Sequence, residues 1–474
     1  MKKYVLLLIL VLFSASIFSQ EKWTLQKCIQ HALDNNIQIK SQEYNSKIHD
    51  INLQKAKYGI LPGLNVGASE NLTFGRNVDP YSYQFSTDNF HSANFQISSS
   101  VTLFSGLQQY NSIKKAEIDL EAGNASLEQT KNNVILAVAS AYLNVLYALD
   151  LVEIAEQQKE ITELQLERTE KLVASGSLPI QSKYDVEAQL ANEELNLVNY
   201  RNQYDFAVLN LAQLIEYEDF SNMEIQKPDV DKLIGESVLL SPEQIFDEAV
   251  NNLPQVKYAE LNYLSSQKAL QISKGAFYPR LTMSAAYGSG YSSLTKLIEG
   301  IKLGNPMLSG FATDNLGNLL DVYQYTFDYS YVNKPFFDQI KDNASTSVGF
   351  YLNIPIFNGL QTRAGVNTSK LYLEQAKLQV DQAKKDLFKE IQQAWSDAVS
   401  AMKKFDASEK AFEASNLSFE YTQKKYEQGL VNITDYNIAK NNVSRTQIEM
   451  LKSKYDFIFK QKILDFYRGL SFNF

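Results

Sequence analysis

Apolar positions recur along this chain with two different periods. Ile113, Ala116, Leu120, Leu127, Val134, Ala141, Val145, Ala148, Val152 and Ala155 step by three, four or seven, the spacing that keeps side chains on one face of an α-helix. A second stripe runs through Ala376, Val380, Ala383, Leu387, Ile391, Ala394, Ala398, Ala401 and Phe405, then continues every seven at Phe412, Phe419 and Tyr426. No proline interrupts either stretch. At about 1.5 Å per residue each predicted helix is roughly 100 Å long, a rod or a wall rather than a helix of an ordinary globular domain. Each predicted long helix ends at a glycine, Gly176 or Gly429, and a second amphipathic stretch follows to about Tyr217 or Arg468. Glycine supplies a left-handed helix cap, so the chain is expected to turn back on itself twice. Ala407, Ala411, Ala414 and Ser418 beside the aromatic stripe predict a second packed flank, as in a wall of several helices.

Ahead of each long helical stretch the period falls to two. Ala93, Phe95, Ile97, Ser99, Val101 and Leu103 alternate with Asn94, Gln96, Ser98, Ser100 and Thr102, and Val348, Phe350, Leu352, Ile354 and Ile356 share one face of a second segment. Partner strands precede them at Leu64, Val66 and Ala68, and at Leu281, Met283, Ala285 and Tyr287. Four strands of about 10 residues with this alternation fit the apolar-out, polar-in pattern of a membrane β-barrel; a soluble hairpin packed on one face shares the pattern.

The two halves follow one plan. Leu103-Phe104-Ser105-Gly106 recurs as Ile356-Phe357-Asn358-Gly359, and Val173-Ala174-Ser175-Gly176-Ser177-Leu178 recurs as Tyr426-Glu427-Gln428-Gly429-Leu430-Val431, both 253 residues later. This internal two-fold repeat divides the chain into a leader (1–19), a first repeat (20–252) and a second (253–474). The first carries strands at about 63–75 and 91–105, a helical hairpin at about 106–218 and an equatorial segment. The second carries strands at about 279–290 and 344–357 and a helical hairpin at about 359–469. Pro62 to Gly106 spans 44 residues and Pro279 to Gly359 spans 80. The excess, rich in Tyr, Asn and Asp between about Ser289 and Asn343, reads as a solvated extracellular loop.

Lys2 and Lys3, the apolar run Val5–Phe13 and small residues to Ser19 make an export signal, cleaved near Ser19 or Gln20. No other apolar run reads as long enough for a membrane helix, so entry into a membrane is expected through strands. The 45 Lys+Arg against 54 Asp+Glu leave a net charge of −9, which argues against nucleic acid as a partner. One cysteine excludes an intramolecular disulfide, and three histidines leave little for a metal site. Cys28 and His31 read as packing, and Gly288-Ser289-Gly290 lacks the helix that a phosphate loop needs. The terminal Phe474 resembles a barrel-assembly signal but follows helix rather than strand, and no assignment rests on it. No nucleophile, base and orienting group assemble; no cofactor, metal or catalytic residue is assigned, and an enzyme acting on envelope polymers is disfavoured because the acidic residues are scattered. A periplasmic coiled-coil adaptor or structural protein is the alternative, and the duplicated strands count against it.

Four strands leave open edges that hydrocarbon does not tolerate. Two copies would supply 8 strands and three 12, and only the larger barrel keeps an open lumen. At this point the chain resembles the outer membrane efflux protein (TolC) family, on Trp23-Thr24-Leu25 with Ala32 and Asn35-Asn36, on Tyr278-Pro279, on the paired Phe-x-Gly landmarks, and on Gly429-Leu430-Val431 with Asp435. The resemblance implies a mainly α fold with a membrane β-barrel portion: a homotrimer in outer-membrane lipid, with a 12-stranded barrel and a long periplasmic α-helical barrel. It implies the exit duct of a tripartite efflux or type I secretion system, docked to a periplasmic membrane-fusion adaptor and an inner-membrane pump of the RND or ABC type. By the same resemblance Gly176, Ser177, Leu178, Gly429, Leu430 and Val431 form the adaptor-contacting tip, and Tyr426, Asp435 and Ser182 the periplasmic gate. Val431 and Ile438 stand where the family pattern has an Arg and a second Asp, so one acidic ring is expected, with closure resting on packing of Leu178, Leu430 and Val431.

Overall fold

The computed structural model describes residues 22–79, 81, 83, 85–87, 89–228 and 240–470; the expected leader, part of the equatorial segment and Phe474 lie outside them. The described residues form two compact units, one of those within 1–52, 115–267 and 371–474 and one of those within 53–114 and 268–370. In chain order the elements are α1 (Leu25–Asn35), α2 (Ile37–Tyr58), β1 (Gly63–Thr73), β2 (Asn77–Val78), β3 (Phe85–Ser86), β4 (Phe90–Ser105), α3 (Gln108–Ala174) and α4 (Ile180–Leu214). They continue with α5 (Pro242–Asn252), α6 (Pro254–Gly275), β5 (Arg280–Ser292), β6 (Lys296–Thr313), β7 (Leu319–Asn333), α7 (Phe336–Asp342), β8 (Ser345–Asn353), α8 (Gln361–Glu427) and α9 (Ile433–Tyr467).

Element lengths match between the halves. α1 and α5 have 11 residues each, α2 and α6 22, α3 and α8 67, and α4 and α9 35. Thr24 Oγ1 accepts from the Lys27 amide to start α1, and Ser241 starts α5 with a reciprocal capping box to Gln244. The long helices are held by their apolar stripes. Val138, Tyr142, Val145 and Leu146 of α3 are buried with Leu25 and Cys28 of α1, Leu211 of α4 and Ile458 of α9. Leu387, Ile391 and Ala398 of α8 pack with Ile245 and Ala249 of α5 and Val256 of α6. α3 also contains a stretch that by length and composition is apolar enough to cross a membrane, against the expectation that none exists beyond the leader. That stretch is 56% buried, because several helices converge on this part of α3.

In the other unit β1, β4, β5 and β8 form one antiparallel sheet in that order. The register aligns Val66, Ile97 and Tyr287 across three strands, and Met283 opposite Phe350, so one face is apolar. Asn65, Gln96, Ser98, Ser284 and Ser347 lie on the other. The apolar face is bare: Val66 is 76% exposed and Phe350 65%. β8 stops at Asn353, so Ile354 and Ile356 lie outside the strand on which they were expected; Pro355 has no amide to give to a ladder. The expected solvated loop between Ser289 and Asn343 is corrected too. β5 extends to Ser292, and β6 and β7 pair as a long antiparallel hairpin followed by α7. Its driving pattern is Tyr323, Tyr325, Phe327, Tyr329 and Tyr331 at every second position, a strand period filled with aromatic residues of high β-propensity.

Gly106 has φ +60° and Leu107 follows at +61°; Gly359 and Leu360 repeat this at +64° and +63°. A Cβ on Gly106 would lie 2.3 Å from the Gly275 carbonyl oxygen, which excludes any other residue there without a backbone shift.

Candidate functional site

The two helical turnings are built alike. The Gly176 amide donates to the Val173 carbonyl (2.9 Å) and the Ser177 amide to that of Leu172 (2.8 Å). The Gly429 amide donates to Tyr426 (3.0 Å) and the Leu430 amide to Lys425 (2.9 Å). This double closure satisfies the last carbonyls of α3 and α8 and requires a left-handed residue at its centre; Gly176 and Gly429 have φ +74° and +73°. Both stand in open space, with nothing within 4 Å of an added Cβ. The turn apices are solvated: Gly176, Ser177, Gly429 and Leu430 are exposed, and Leu178 and Val431 half-buried. Leu430, at 68% exposure, presents an apolar side chain to water.

Ser182 and Asp435 are each the third residue of a return helix, α4 and α9. The Asp435 amide donates to Asn432 Oδ1 (2.8 Å), so Asn432 is the cap and the exposed Asp435 carboxylate lies in the first turn of α9, where the positive end of the helix dipole stabilises negative charge. Ser182 is half-buried, its amide bonded to the Pro179 carbonyl (3.0 Å). Tyr426 packs against Tyr436 with ring centroids 4.8 Å apart and planes tilted by 32°, and Phe419 meets the same ring at 5.4 Å. Burial pushes the Tyr436 hydroxyl above its ordinary value, with Tyr426 adding to the shift. The structure therefore brings Tyr426 to the base of the return helix that carries Asp435.

A polar node further along the same helix has no counterpart in the expectations from sequence. Lys440 Nζ donates to the Gln158 carbonyl (3.2 Å), to Thr162 Oγ1 and to Glu193 Oε1 (3.4 Å), so all three ammonium donors are used. It ties α9 to α3 and α4. Gln189 Nε2 donates to the same Glu193 oxygen (2.7 Å). Burial lowers the Lys440 pKa, opposed by Glu193. The positions 253 residues after Thr162 and Glu193 are Ser415 and Thr446, which form a neutral hydroxyl pair at 2.6 Å between α8 and α9. The available sequence signal was a lysine at the centre of an apolar i, i+4, i+7 series, Tyr436, Lys440 and Val443.

Cys28 is buried, which pushes its thiol up to about 12, and the His31 ring packs edge-on to Trp23 at 5.4 Å. Among the described residues no group of three or more His, Cys, Asp or Glu is placed to hold a metal ion.

The sequence profile of the family described as outer membrane efflux protein matches residues 28–215 and 245–464. Outer membrane protein TolC of Escherichia coli (strain K12) is 24% identical over 293 residues, 61% of this chain and 56% of that protein, so the alignment spans little over half of the relative. Pyoverdine export outer membrane protein OpmQ of Pseudomonas aeruginosa is 26% identical over 238 residues, 49% of this chain and 48% of its own. The solved structure of CusC, described with its transmembrane channel formation, superposes at a TM-score of 0.73 over 96% of both chains, with 14% identity. That likeness is one of fold.

Proposed function

The chain belongs to the outer membrane efflux protein family and is a protein of the outer membrane, and from that premise we infer that three copies form a passive exit duct. Each copy contributes β1, β4, β5 and β8 to a 12-stranded barrel, closed by pairing β8 of one copy with β1 of the next. The α3–α4 and α8–α9 hairpins, which we read as the products of a duplication, form the wall of a periplasmic tunnel. The duct receives substrate from an inner-membrane pump of the RND or ABC type through a membrane-fusion adaptor, in a tripartite efflux or type I secretion system. The adaptor meets the turn apices, Gly176, Ser177, Leu178, Gly429, Leu430 and Val431. Tyr426, Asp435 and Ser182 line the narrow periplasmic end.

The observation that carries this reading is the sheet. A soluble four-stranded sheet with one apolar face covers it; here Leu64, Val66, Val348, Phe350 and Leu352 are all exposed, while the opposite face is lined by Asn, Gln, Ser and Thr. Lipid outside and water inside satisfy both faces at once, and closure among copies satisfies the backbone groups along β1 and β8.

The test is native mass spectrometry of the protein extracted from outer membranes, followed by conductance in planar bilayers. A trimer that conducts is expected. A monomer without conductance would overturn the reading.

A further inference from the structure

The β6–β7 hairpin is an arm with one mainly aromatic and aliphatic face and one mixed face. Directly opposed residues of antiparallel strands share a face, and the register opposes Ile298 to Tyr331, Ile301 to Tyr329, Leu303 to Phe327, Pro306 to Tyr325 and Leu308 to Tyr323. Register shifts at Ile298/Gly300, Leu303/Pro306 and Leu308/Gly310 each skip residues of β6, and this keeps Ile298, Ile301, Leu303 and Leu308 on the aromatic face. The other face is mixed: it opposes Lys302 to Asp328, Gly300 to Ser330 and Met307 to Gln324, with Leu297 opposite Val332 and Ala312 opposite Leu320 toward its ends. Every residue of β7 is exposed, including Phe327 at 54%. An isolated two-stranded ribbon is marginal in water, and a bare face of this size marks an interaction surface.

The root of the arm is rigid. Gln339, 1% exposed, accepts from the Ser292 amide (2.9 Å) and donates to the carbonyls of Ser292 and Lys334 (both 2.9 Å). Ser292 Oγ donates to the buried carboxylate of Asp79, and the Lys334 amide closes the base on Thr295 (3.0 Å). The arm is thus held at a fixed place on the end of β5, and arms of symmetry-related copies stand at one fixed spacing. The apolar face, nine side chains about half exposed plus Pro306, offers on the order of 800 Å² per arm, what each partner contributes to a stable protein interface. Tyr at four of the five aromatic positions suits a protein interface, where Tyr is enriched and keeps its hydroxyl for the rim.

We propose that the aromatic faces of three β6–β7 arms pack against one another, forming an apolar lid that stands over the external mouth of the duct and parts for passage and conduction. This rests on the trimeric reading above, because closing β8 on β1 of the next copy gathers the three arm roots around one axis.

The chain's single cysteine, Cys28, is buried, so an introduced thiol is addressed alone. Full-length Phe327→Cys and, as a second position on the same face, Tyr325→Cys are treated in intact outer membranes with a short bismaleimide, and Asp328→Cys serves for the opposite face. Covalent dimers within a native trimer are expected for the first two and at least tenfold fewer for the third. A trimer whose Phe327→Cys and Tyr325→Cys thiols stay uncross-linked and react with a membrane-impermeant maleimide overturns the lid and leaves the duct standing. Uncross-linked thiols shielded from that reagent overturn it in favour of lipid or another partner. A monomer overturns both readings.

Discussion

Lys440 Nζ lies 3.4 Å from Glu193 Oε1, with the two side chains only 2% and 10% exposed, although the residues belong to different helical hairpins and stand 247 positions apart in sequence. The equivalent place in the second hairpin holds Ser415 and Thr446, which bond without charge. A neutral pair therefore suffices to join two helices of one hairpin. The charged pair exists where a third helix from the other half arrives.

Removing one member of a buried pair strands the other charge. Lys440→Met is expected to destabilise the protein by about 3–5 kcal/mol, read as a lowered denaturation midpoint in detergent. Adding Glu193→Thr, which copies the neutral chemistry of Thr446, should recover most of that loss. A double variant no more stable than the single one would show that the node is held by Thr162 and packing rather than by the ion pair.

The same lysine gives a pH signature. Its folded pKa lies below the ordinary lysine value of 10.5, chiefly through burial, so between the folded and unfolded values the unfolded chain binds more protons. Stability then rises with pH through that window and is insensitive to this group below it. Subtracting the Lys440→Met/Glu193→Thr curve from the wild type should isolate a rise on the alkaline side, approaching pH 10.5. A difference that falls with pH would reverse the assigned direction.

At the turn apices the expectation is a purely conformational cost. Nothing lies within 4 Å of an added Cβ at Gly429, yet its φ is +73°, so Gly429→Val meets backbone strain and no clash, about 1 kcal/mol or more. Adaptor cross-linking and efflux should weaken while trimer yield is kept. Unchanged efflux at normal expression would take this turn out of the adaptor contact.

What could be read from sequence follows from where the determinants lie. The stripes of α3 and α8 are local and uninterrupted, so spacing alone marks them, and the clean alternation of Asn94–Thr102 marks β4 in the same way. β6 failed that test for a physical reason. Its three register shifts, with Gly300, Gly304, Pro306 and Gly310 inside the strand, break the period of two that identifies a strand, although the alternating aromatics of β7 were in view. Lys440 was illegible for a different reason, since its partners Gln158, Thr162 and Glu193 are supplied by tertiary packing. The turn residues were findable because a glycine after a long stripe has few other uses.

Asp435 sits six residues beyond Gly429, exposed, in the first turn of α9. Its amide is held by Asn432, so the carboxylate is not needed to cap the helix. On the proposed trimer three such carboxylates would form a ring at the narrow end, favouring cations over anions. The helix dipole offers each carboxylate only a few tenths of a kcal/mol to about 1 kcal/mol, so Asp435→Asn should shift the denaturation midpoint little. In planar bilayers the same variant should lose most of the cation preference and the block by divalent ions added from the periplasmic side. Unaltered selectivity together with a clear loss of stability would identify Asp435 as a helix-terminal stabiliser and move the proposed gate to the Tyr426–Tyr436 pair.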